Sequence, residues 1–535
     1  MISIYINDQA LELGSDFSII FNFKSPVFNE TGSYSYPIKV PFTPRNAGIL
    51  NFKHRVENTG DPWQEFPCKI LINGRSIIGL FKCTIGNNLT YEGSIYAIDG
   101  DFYYSIKDKM LQNYDFGEMI FEDDGSAIDW IQNCFNFYYP DRPCAFPKIE
   151  DATYYDPAPI DPSDYTFNSA LYSVGSTPIV PFLYLKYVIK KLSDGLGYKL
   201  DNRFFDSHID FNKLVLFNCV NTNSPNGDNT FQGYRYNHLY FNFHLPFISV
   251  KDFISGIETY WNLRFFINST NKNINIISLD SIIKETDYTD FSKNILSKSV
   301  EPENQIKGFH LIMDKDDGDE VLSSMDDYES LFLDNFKGTV DKLTDLPKWP
   351  GVNPLEIRFV YETGLYYQMI NSTWQVLLTQ LHFYSKYYFG DGTKELETKF
   401  SSLIGDRFSL FQENAPVICH NSETAWNKIS PRVFFTFKNI PLDTNEWGQY
   451  NTDNFSLWYH GDTGLFVKQF KSYLEWQIST KLIKTTKQMT WQEIYDIDFS
   501  KKYMMHGVKS LISSVQVTIK PNSISPSLIL HYPCP

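Results

Sequence analysis

The residues that could carry out chemistry are few and widely spaced in a chain with 10 histidines and 7 cysteines. His238 and His244 flank an aromatic strand pattern, and their even spacing predicts that both side chains lie on the same face. Two imidazoles on one face could begin a metal site, but the sequence places no acidic residue or cysteine beside them. We therefore expect both histidines to have a structural role.

A second candidate is the adjacent pair Cys419 and His420. A nucleophile and its general base must lie within hydrogen-bonding reach, and direct neighbours in sequence achieve this geometry with difficulty. The run Asp314–Glu320 is the densest acidic stretch, but a calcium loop needs glycine at its sixth position and Gly318 falls at the fifth. We expect a solvated loop there rather than a cation site.

Sequence motifs of the common enzyme classes are absent from the chain. It contains no glycine-rich phosphate loop, no HExxH and no GxSxG. Carboxylates are abundant, so a glycosidase pair stays open, although nothing in the sequence distinguishes two of them. The sequence predicts a protein that is not an enzyme and has no catalytic residue, no cofactor and no metal site.

The composition indicates a folded protein with several domains and extensive β structure. At 535 residues the chain exceeds one core, and about 150 residues per domain suggests three or four domains. Aromatic residues make up 17%, which favours strands and buried contact surfaces. The net charge of −16 argues against tightly bound nucleic acid, because wrapping DNA or RNA needs a positive surface.

The start of the chain and its cysteines predict the compartment in which it folds. Met1–Ile6 enters a strand pattern directly, without a basic and then apolar signal peptide, and no apolar run approaches the ~20 residues of a membrane span. The odd number of cysteines and the absence of a CxxC pair favour a reducing compartment and buried thiols. The cysteines are Cys68, Cys83, Cys134, Cys144, Cys219, Cys419 and Cys534.

The segment Ser249–Glu285 predicts one complete supersecondary unit. Ser249 and Asp252 predict a capping box, and apolar residues at helical spacing follow until Asn262 ends the helix. Two alternating strands then flank the polar turn Asn268–Asn273. This pattern of helix, strand, turn and strand predicts a mixed α+β domain.

The N-terminal hundred residues predict antiparallel hairpins that form a small barrel or sandwich. The turns are Asn7-Asp8 and Asn73-Gly74, and both have the composition of tight hairpin turns. The extended segment Gly32–Pro44 contains three prolines, which predict an edge strand or a strap.

Further elements are predicted in the rest of the chain. Pro181–Leu192 predicts a helix, residues 355–378 a three-stranded meander, and Thr490 with Glu493 a capping box. In the last strand, alternate residues from Leu511 to Ile519 are expected to share one face.

The chain is therefore predicted to be α+β, predominantly antiparallel β and multi-domain. The predicted segments are an N-terminal β-barrel domain (1–105), an aromatic, Pro- and Asp-rich excursion (106–170), a mixed α+β domain (171–300), an acidic linker (301–350), an inserted β domain (351–460) and a C-terminal α+β segment (461–535).

The order of these pieces resembles that of tail proteins from phages and prophages of Bacteroidetes, in the baseplate-hub or tail-tip family. The resemblance covers most of the chain. It is carried by the N-terminal strand pair, Gly32–Pro37 with Thr43-Pro44, the double hairpin Ile70–Ile98, the Ser249 helix with its two strands, Thr339 with Asp345-Leu-Pro347, Tyr366-Tyr367 with Trp374, Ile494–Lys502, and Gly507 with Leu511-Ile-Ser513.

The resemblance implies two small tube-like β-barrel domains side by side, so that three subunits form a pseudo-sixfold ring that continues the tail tube. One barrel would lie in residues 1–105 and the other in pieces near 171–245 and 461–535. The excursion (106–170) and the insertion at 350–460 depart from the family pattern, and no peptidoglycan-cleaving motif is carried over.

The partners implied by this family are further copies of the chain, as a homotrimer or alternatively a hexamer, together with the tail tube and other tail-tip proteins. DNA would pass transiently through an acidic lumen, because a negative lining repels phosphate. The protein would belong to the virion tail and be assembled in the bacterial host cytoplasm.

Two other classes of function remain open from the sequence. One is a receptor- or carbohydrate-binding tail-tip protein, for which Tyr366, Tyr367 and Trp374 would supply aromatic platforms. The other is a tail-associated cell-wall hydrolase, which would need two close carboxylates or a metal site in a cleft.

Overall fold

The computed structural model describes most of the chain. The described residues are 2–15, 17–28, 33–52, 65–85, 90–97, 99–106, 108–122, 124–147, 149–150, 166–168, 180–217, 234–235, 238–268, 271–300, 308–313, 335–360, 362–363, 365–376, 383–384, 393–398, 401–402, 432–438, 445–448, 450–451, 455–457, 464–520 and 523–533.

The strands are short, with a few long exceptions near the two ends of the chain. They are β1 Ile2–Ile6, β2 Gln9–Ala10, β3 Ile19–Lys24, β4 Ser33–Ser35, β5 Ile38–Pro41, β6 Glu65–Ile72, β7 Arg75–Ile85, β8 Thr90–Ala97, β9 Glu118–Ile120, β10 Cys144–Ala145, β11 Ile149–Glu150, β12 Thr166–Phe167, β13 Phe182–Leu183, β14 Lys199–Asp201, β15 Leu214–Leu216, β16 Tyr234–Arg235, β17 His238–Tyr240, β18 Leu263–Asn268, β19 Asn273–Ser278, β20 Tyr288–Asp290, β21 Ile295–Val300, β22 Gly308–Met313, β23 Phe336–Val340, β24 Ile357–Val360, β25 Leu365–Ile370, β26 Thr373–Val376, β27 Phe383–Tyr384, β28 Thr393–Thr398, β29 Ser401–Ser402, β30 Arg432–Lys438, β31 Asn445–Gly448, β32 Tyr450–Asn451, β33 Phe455–Ser456, β34 Thr480–Lys487, β35 Lys502–Met505, β36 Val508–Lys520 and β37 Ser523–Pro533.

The helices lie between these strands. They are α1 Pro44–Ile49, α2 Asp99–Ile106, α3 Asp124–Asn136, α4 Leu185–Gly195, α5 Arg203–Asp206, α6 Val250–Trp261, α7 Leu279–Lys284, α8 Lys471–Ser479 and α9 Trp491–Tyr495, with short 3-10 turns at Leu111–Asn113, Ile209–Lys213, Phe241–His244 and Leu343–Asp345 and a π-helical turn at Phe466–Phe470.

The chain divides into two compact units made of interleaved segments. The first, which we call the sheet unit, contains Met1–Lys107, Arg264–Gln305 and Glu475–Pro535. The second unit contains Asp108–Leu263 and Ile306–Leu474. The six-part division predicted from the sequence stays a prediction.

A 14-stranded sheet is the main element of the sheet unit, which also contains β19 and most of β18 from a smaller sheet. The strand order of the 14-stranded sheet is β2-β1-β6-β7-β8-β4-β3-β36-β37-β34-β21, and β5, β20 and β35 pair at its sides. Nearly all neighbours are antiparallel, which confirms the predicted fold class of predominantly antiparallel α+β. Within the described residues this order is open rather than closed into a barrel, because the C-terminal strands extend the N-terminal sheet and do not enclose a core of their own.

The predicted hairpin turns are present and have the backbone geometry that their residues favour. Asn7 and Asp8 have φ of 49° and 60° between β1 and β2, and Asn73 and Gly74 have φ of 48° and 86° between β6 and β7. Two successive positive φ angles produce the twist that matches antiparallel strands, and Asn, Asp and Gly adopt them at the lowest cost.

The prolines of the Gly32–Pro44 segment lie where a missing N–H does no harm. Pro37 separates β4 from β5, Pro41 ends β5, and Pro44 is the first residue of α1, which Thr43 caps. The predicted edge position fits β5, which pairs with β8 among the described strands, but not β4. Strand β4 lies inside the sheet and joins β8 to β3.

Strand β36 carries one departure from the predicted alternation. A bulge between Ile512 and Ser514 shifts its register against β37. Ile512, Val515, Val517 and Ile519 therefore belong to the main core of the sheet unit, while Leu511 does not. A bulge adds one residue to a strand, so the residues after it point to the opposite face from the one that strict alternation predicts. The alternation counted from Leu511 therefore fails at the bulge.

In the second unit, α6 has the predicted bounds and the predicted N-cap residue, Ser249. The Ser249 hydroxyl accepts from the Asp252 N–H at 3.0 Å and donates to the Asp252 carboxylate at 2.8 Å. Asn262 ends the helix in the left-handed conformation at φ 53°. Helix α4 begins at Leu185 rather than at Pro181, because Phe182 and Leu183 pair with β10 as strand β13.

The excursion (106–170) is more regular than the sequence suggests. It contains α3, 13 residues long, and its described residues Leu111, Phe116, Cys144 and Phe146 are fully buried. These side chains therefore pack inside the second unit. Residues 151–165, which hold much of its Pro, Tyr and Asp, lie outside the described residues.

We predict that Gly93→Ala destabilises the sheet unit. An added Cβ would overlap the Lys82 carbonyl oxygen and lie 2.6 Å from the Phe81 ring, and the rigid backbone of β7 cannot give way. The free energy of unfolding, measured with urea, should fall by about 2 to 3 kcal/mol. Gly48→Ala is the matched control, because its Cβ would meet nothing within 4 Å. Equal stability of the two variants would contradict the prediction.

Candidate functional site

The sheet unit contains a concave cavity of about 310 Å³. This volume is at the small end of the range typical of ligand sites, roughly 300 to 1,000 Å³. The lining residues come from four separate stretches of sequence: Phe23, Lys24 and Pro26; Phe266, Ile267, Asn268 and Asn275; Ile494, Tyr495, Ile497, Asp498 and Phe499; and Val515.

Helix α9 and the loop after it build one wall of the cavity. The Thr490 hydroxyl accepts from the Glu493 N–H at 3.2 Å, and the Glu493 carboxylate accepts from the Thr490 N–H at 2.7 Å, which confirms the predicted capping box. The bonds that the Glu493 carboxylate accepts from the Thr490 N–H and hydroxyl lower the pKa of Glu493, so the carboxylate stays ionised at neutral pH.

The loop that follows α9 is held by one buried tyrosine. The Tyr503 hydroxyl accepts from the Asp498 N–H at 2.7 Å and donates to the Asp498 carbonyl oxygen at 3.1 Å. Burial raises the pKa of Tyr503 to about 12, because the ionised phenolate would lose its hydration. Tyr503 thus fixes the backbone position of Asp498 at the cavity wall.

The opposite wall is the hairpin of β18 and β19. Residues alternate along both strands, so that Phe265 and Ile267 are buried while Phe266 and Asn268 are more exposed. The Arg264 guanidinium donates to the Pro26 carbonyl oxygen at 2.9 Å and fixes the segment after β3. The Asn273 amide donates to the Asn275 side chain at 2.7 Å.

The chemistry of the cavity is that of a binding site. Most of its lining is aromatic or aliphatic, and its polar side chains are those of Lys24, Asn268, Asn275, Tyr495 and Asp498. Among the described residues, the lining includes one carboxylate and no histidine, cysteine or serine. A glycosidase needs two carboxylates and a nucleophilic hydrolase needs an activated Ser or Cys, so these walls can hold an apolar group but lack the groups for hydrolysis.

The two histidines singled out in the sequence lie in different local structures. His238 is in β17, whereas His244 ends the 3-10 turn Phe241–His244, so the prediction of one shared face is wrong. The chain stops being a strand at Tyr240, and the alternation stops with it. His238 Nδ1 lies 3.0 Å from the Glu118 carboxylate, an acidic partner 120 positions away in sequence. His244 is fully buried.

Of the three meander aromatics, Tyr366 and Tyr367 are core residues, whereas Trp374 is partly buried and packs against the core. Tyr366 and Tyr367 are 1% and 8% exposed, and the Trp374 indole donates to the Pro347 carbonyl oxygen at 2.8 Å. The meander itself is confirmed as β24, β25 and β26, with β23 added in parallel beside β24. Buried tyrosine rings cannot stack on a sugar from solution.

The cysteines within the described ranges are buried thiols, none of them in a disulfide: Cys68, Cys83, Cys134 and Cys144. Burial raises the pKa of Cys144 well above its ordinary value, and a hydrogen bond with Cys134 adds to the effect. A thiol held in its protonated form is a poor nucleophile. Cys219, Cys534, the pair Cys419-His420 and the run Asp314–Glu320 lie outside the described residues.

No group of three or more His, Cys, Asp or Glu side chains in the described part of the chain is arranged to hold a metal ion. None of the described helices combines the length and hydropathy needed to cross a bilayer.

No protein-family model matches this sequence, and no curated protein matches it. Two solved structures are similar to it over nearly their full length. The 43 kDa tail protein of prophage MuSo2 from Shewanella oneidensis is 7% identical, with 99% of this chain and 97% of that chain covered and a TM-score of 0.34. The tail protein from Neisseria meningitidis MC58 is 6% identical, with 99% and 95% covered and a TM-score of 0.29. Both TM-scores are below 0.5, so neither likeness supports an inference about function.

The cavity was not predicted as a site from the sequence. Its clearest local signal is the alternation of Ile494, Ile497 and Phe499 with polar neighbours, but Phe23 and Phe266 join them only through the sheet. A pairing between strands that are hundreds of residues apart leaves no mark in local periodicity.

We predict that Tyr503→Phe loosens the cavity wall. Loss of the hydroxyl leaves the Asp498 N–H and carbonyl without this partner, which should lower the free energy of unfolding by about 1 to 3 kcal/mol in urea. The wild type should also lose stability as pH rises from about 10 to 12, since the unfolded tyrosine ionises near 10 and the folded one near 12. The variant should lose less over this interval. An identical alkaline decline in both proteins would count against the role of Tyr503.

Proposed function

We propose that this chain is a structural protein of a phage tail that forms the tail-tip or baseplate-hub ring and continues the tail tube. The proposal starts from the order of sequence motifs shared with that family. The structural observation that supports it is the open 14-stranded sheet, which ends in strands that another subunit can extend.

The contents of the candidate site agree with a structural role. The cavity is an apolar recess with one carboxylate, suited to a side chain of a neighbouring tail protein. The hydrolase alternative would need a second carboxylate there. The carbohydrate alternative would need several exposed rings, whereas Tyr366 and Tyr367 are buried and Trp374 is only partly exposed.

In the proposed assembly the chain binds further copies of itself, three in the simplest ring, together with the tail tube and other tail-tip proteins. DNA passes through the ring during ejection. The net charge of −16 suits a lumen that repels phosphate, so Asp and Glu should outnumber Lys and Arg on the inner wall.

The proposal predicts that the purified chain, or the chain recovered from tails, forms a ring. Light scattering after gel filtration should give the mass of a trimer or hexamer, and negative-stain images of that peak should show a central hole. Gold-labelled antibody against the chain should mark the tip of isolated tails. Label elsewhere on the virion, or a monomer that binds host glycans, would contradict the proposal.

A further inference from the structure

We infer that the two open ends of the sheet bind each other in successive copies of the chain, so that the β21 edge of one copy pairs with the β1–β2 end of the next. This inference deepens the proposed function, on which it rests for the closure of the ring. It adds the surfaces by which copies join.

Strand β21 is the edge of the sheet that is open to a partner. Among the described strands it pairs with β34, antiparallel from Ile295 opposite Lys487 to Val300 opposite Ile483. Leu296 and Val300 are 68% and 62% exposed, large fractions for apolar side chains. An edge strand with exposed apolar residues can recruit another strand, and β21 contains no proline. A bulge lies between Ile295 and Ser297, so the regular part of the strand that a partner can extend is Ser297–Val300.

The β21 end of the sheet is basic although the whole chain is acidic. Lys298 in β21 and Lys481 and Lys484 in β34 are exposed, and neither strand contains an acidic residue. Lys293, just before β21, adds a further exposed positive charge. Asp290 in the preceding strand β20 is negative and partly offsets it. This end therefore attracts a partner edge that is negative.

The opposite end of the sheet meets this requirement. Strand β2 pairs with β1 at Tyr5 and Ile6, and the Leu11 N–H donates to the Ile4 carbonyl oxygen, so Ile2 and Ser3 form the uncovered start of β1 among the described strands, with β2 as the outer strand beside them. The segment from residue 2 to residue 15 carries exposed Asp8 and Glu12 and has no lysine or arginine. The neighbouring strand β6 adds one exposed lysine, Lys69 opposite Tyr5, so acidic side chains outnumber basic ones by two to one at this end, whereas basic side chains predominate at the β21 end.

The charges also select between the two ways in which copies could pair. Two β21 edges would bring the lysines of both copies together, and two β1–β2 ends would bring Asp8 and Glu12 together. Like charges across a strand pair are destabilising, whereas unlike ends attract. Contacts between unlike surfaces repeat head to tail, and they close into a ring when the rotation between copies permits.

A cross-link between two singly substituted proteins tests this pairing directly. Gln9→Cys and Leu296→Cys place thiols at the two ends, both at exposed positions. When the two variants are mixed under mild oxidation, a disulfide-linked dimer should form on a non-reducing gel. Each variant alone should form little. A strong dimer of Leu296→Cys alone, or no dimer in the mixture, would overturn the inference.

Charge reversal tests the same contact by assembly. Lys298→Glu should weaken self-association by roughly tenfold or more, measured by sedimentation velocity, and Asp8→Lys should do the same. The double variant should recover most of the loss, because the pair of opposite charges is restored. Lys520→Glu is the matched control, an exposed lysine at the end of β36 and at neither edge, and it should assemble as the wild type does.

The outcomes separate this inference from the proposed function. A ring of normal size in Lys298→Glu and in Asp8→Lys, with gold label still at the tail tip, overturns the edge pairing and leaves the hub function standing. Label away from the tail overturns the hub function, while the mixed cross-link would still establish the edge pairing.

Discussion

The pairing of β3 with β36 is the interaction on which the sheet unit depends. Six consecutive residue pairs, from Ile19 opposite Ile519 to Lys24 opposite Ser514, join the beginning of the chain to its end. Buried side chains lie on both strands, among them Phe21 and Val517, each 0% exposed. Burial of such side chains contributes about 1.5 to 3 kcal/mol each. Without this pairing the N-terminal hairpins and the C-terminal hairpin would be two smaller sheets with exposed apolar edges.

The same pairing positions the cavity. Phe23 in β3 and Val515 in β36 are directly opposite each other and form part of its lining. Phe23 also packs against Trp491 of α9, with ring centroids 6.3 Å apart. The recess is therefore a product of the junction between distant segments, and its shape depends on the sheet rather than on any single loop.

How much the sequence could predict follows from the range of each interaction. The hairpin turns at Asn7-Asp8 and Asn73-Gly74, the caps at Ser249 and Thr490 and the meander at 357–376 are set by neighbours within a few residues, and all are present. The misses involve distant partners or a local irregularity. Glu118 meets His238 across 120 positions, and the bulge at Ile512 exchanges one core residue for another.

Helix α3 was missed for a different reason. Its sequence lies among Pro, Tyr and Asp residues that obscure the helical spacing of its apolar positions, and Ala127, Ile131 and Cys134 become a visible stripe only once they are known to be buried. Burial overrides weak local propensity here, as it commonly does. The cavity was also not predictable from local sequence, since nothing within 494–499 indicates that Phe266 will line the same recess.

The interleaving of the two units has a consequence for biosynthesis. The chain leaves the sheet unit after residue 107, returns for 264–305 and returns again only at 475. The ribosome therefore releases β3 long before it synthesises β36. The β3 edge of the N-terminal sheet stays unpaired until most of the chain has been made. Contacts between such distant segments form slowly, and unpaired edges aggregate while they wait. Expression of this chain should consequently depend on the speed of elongation and on chaperones more than its final stability would suggest.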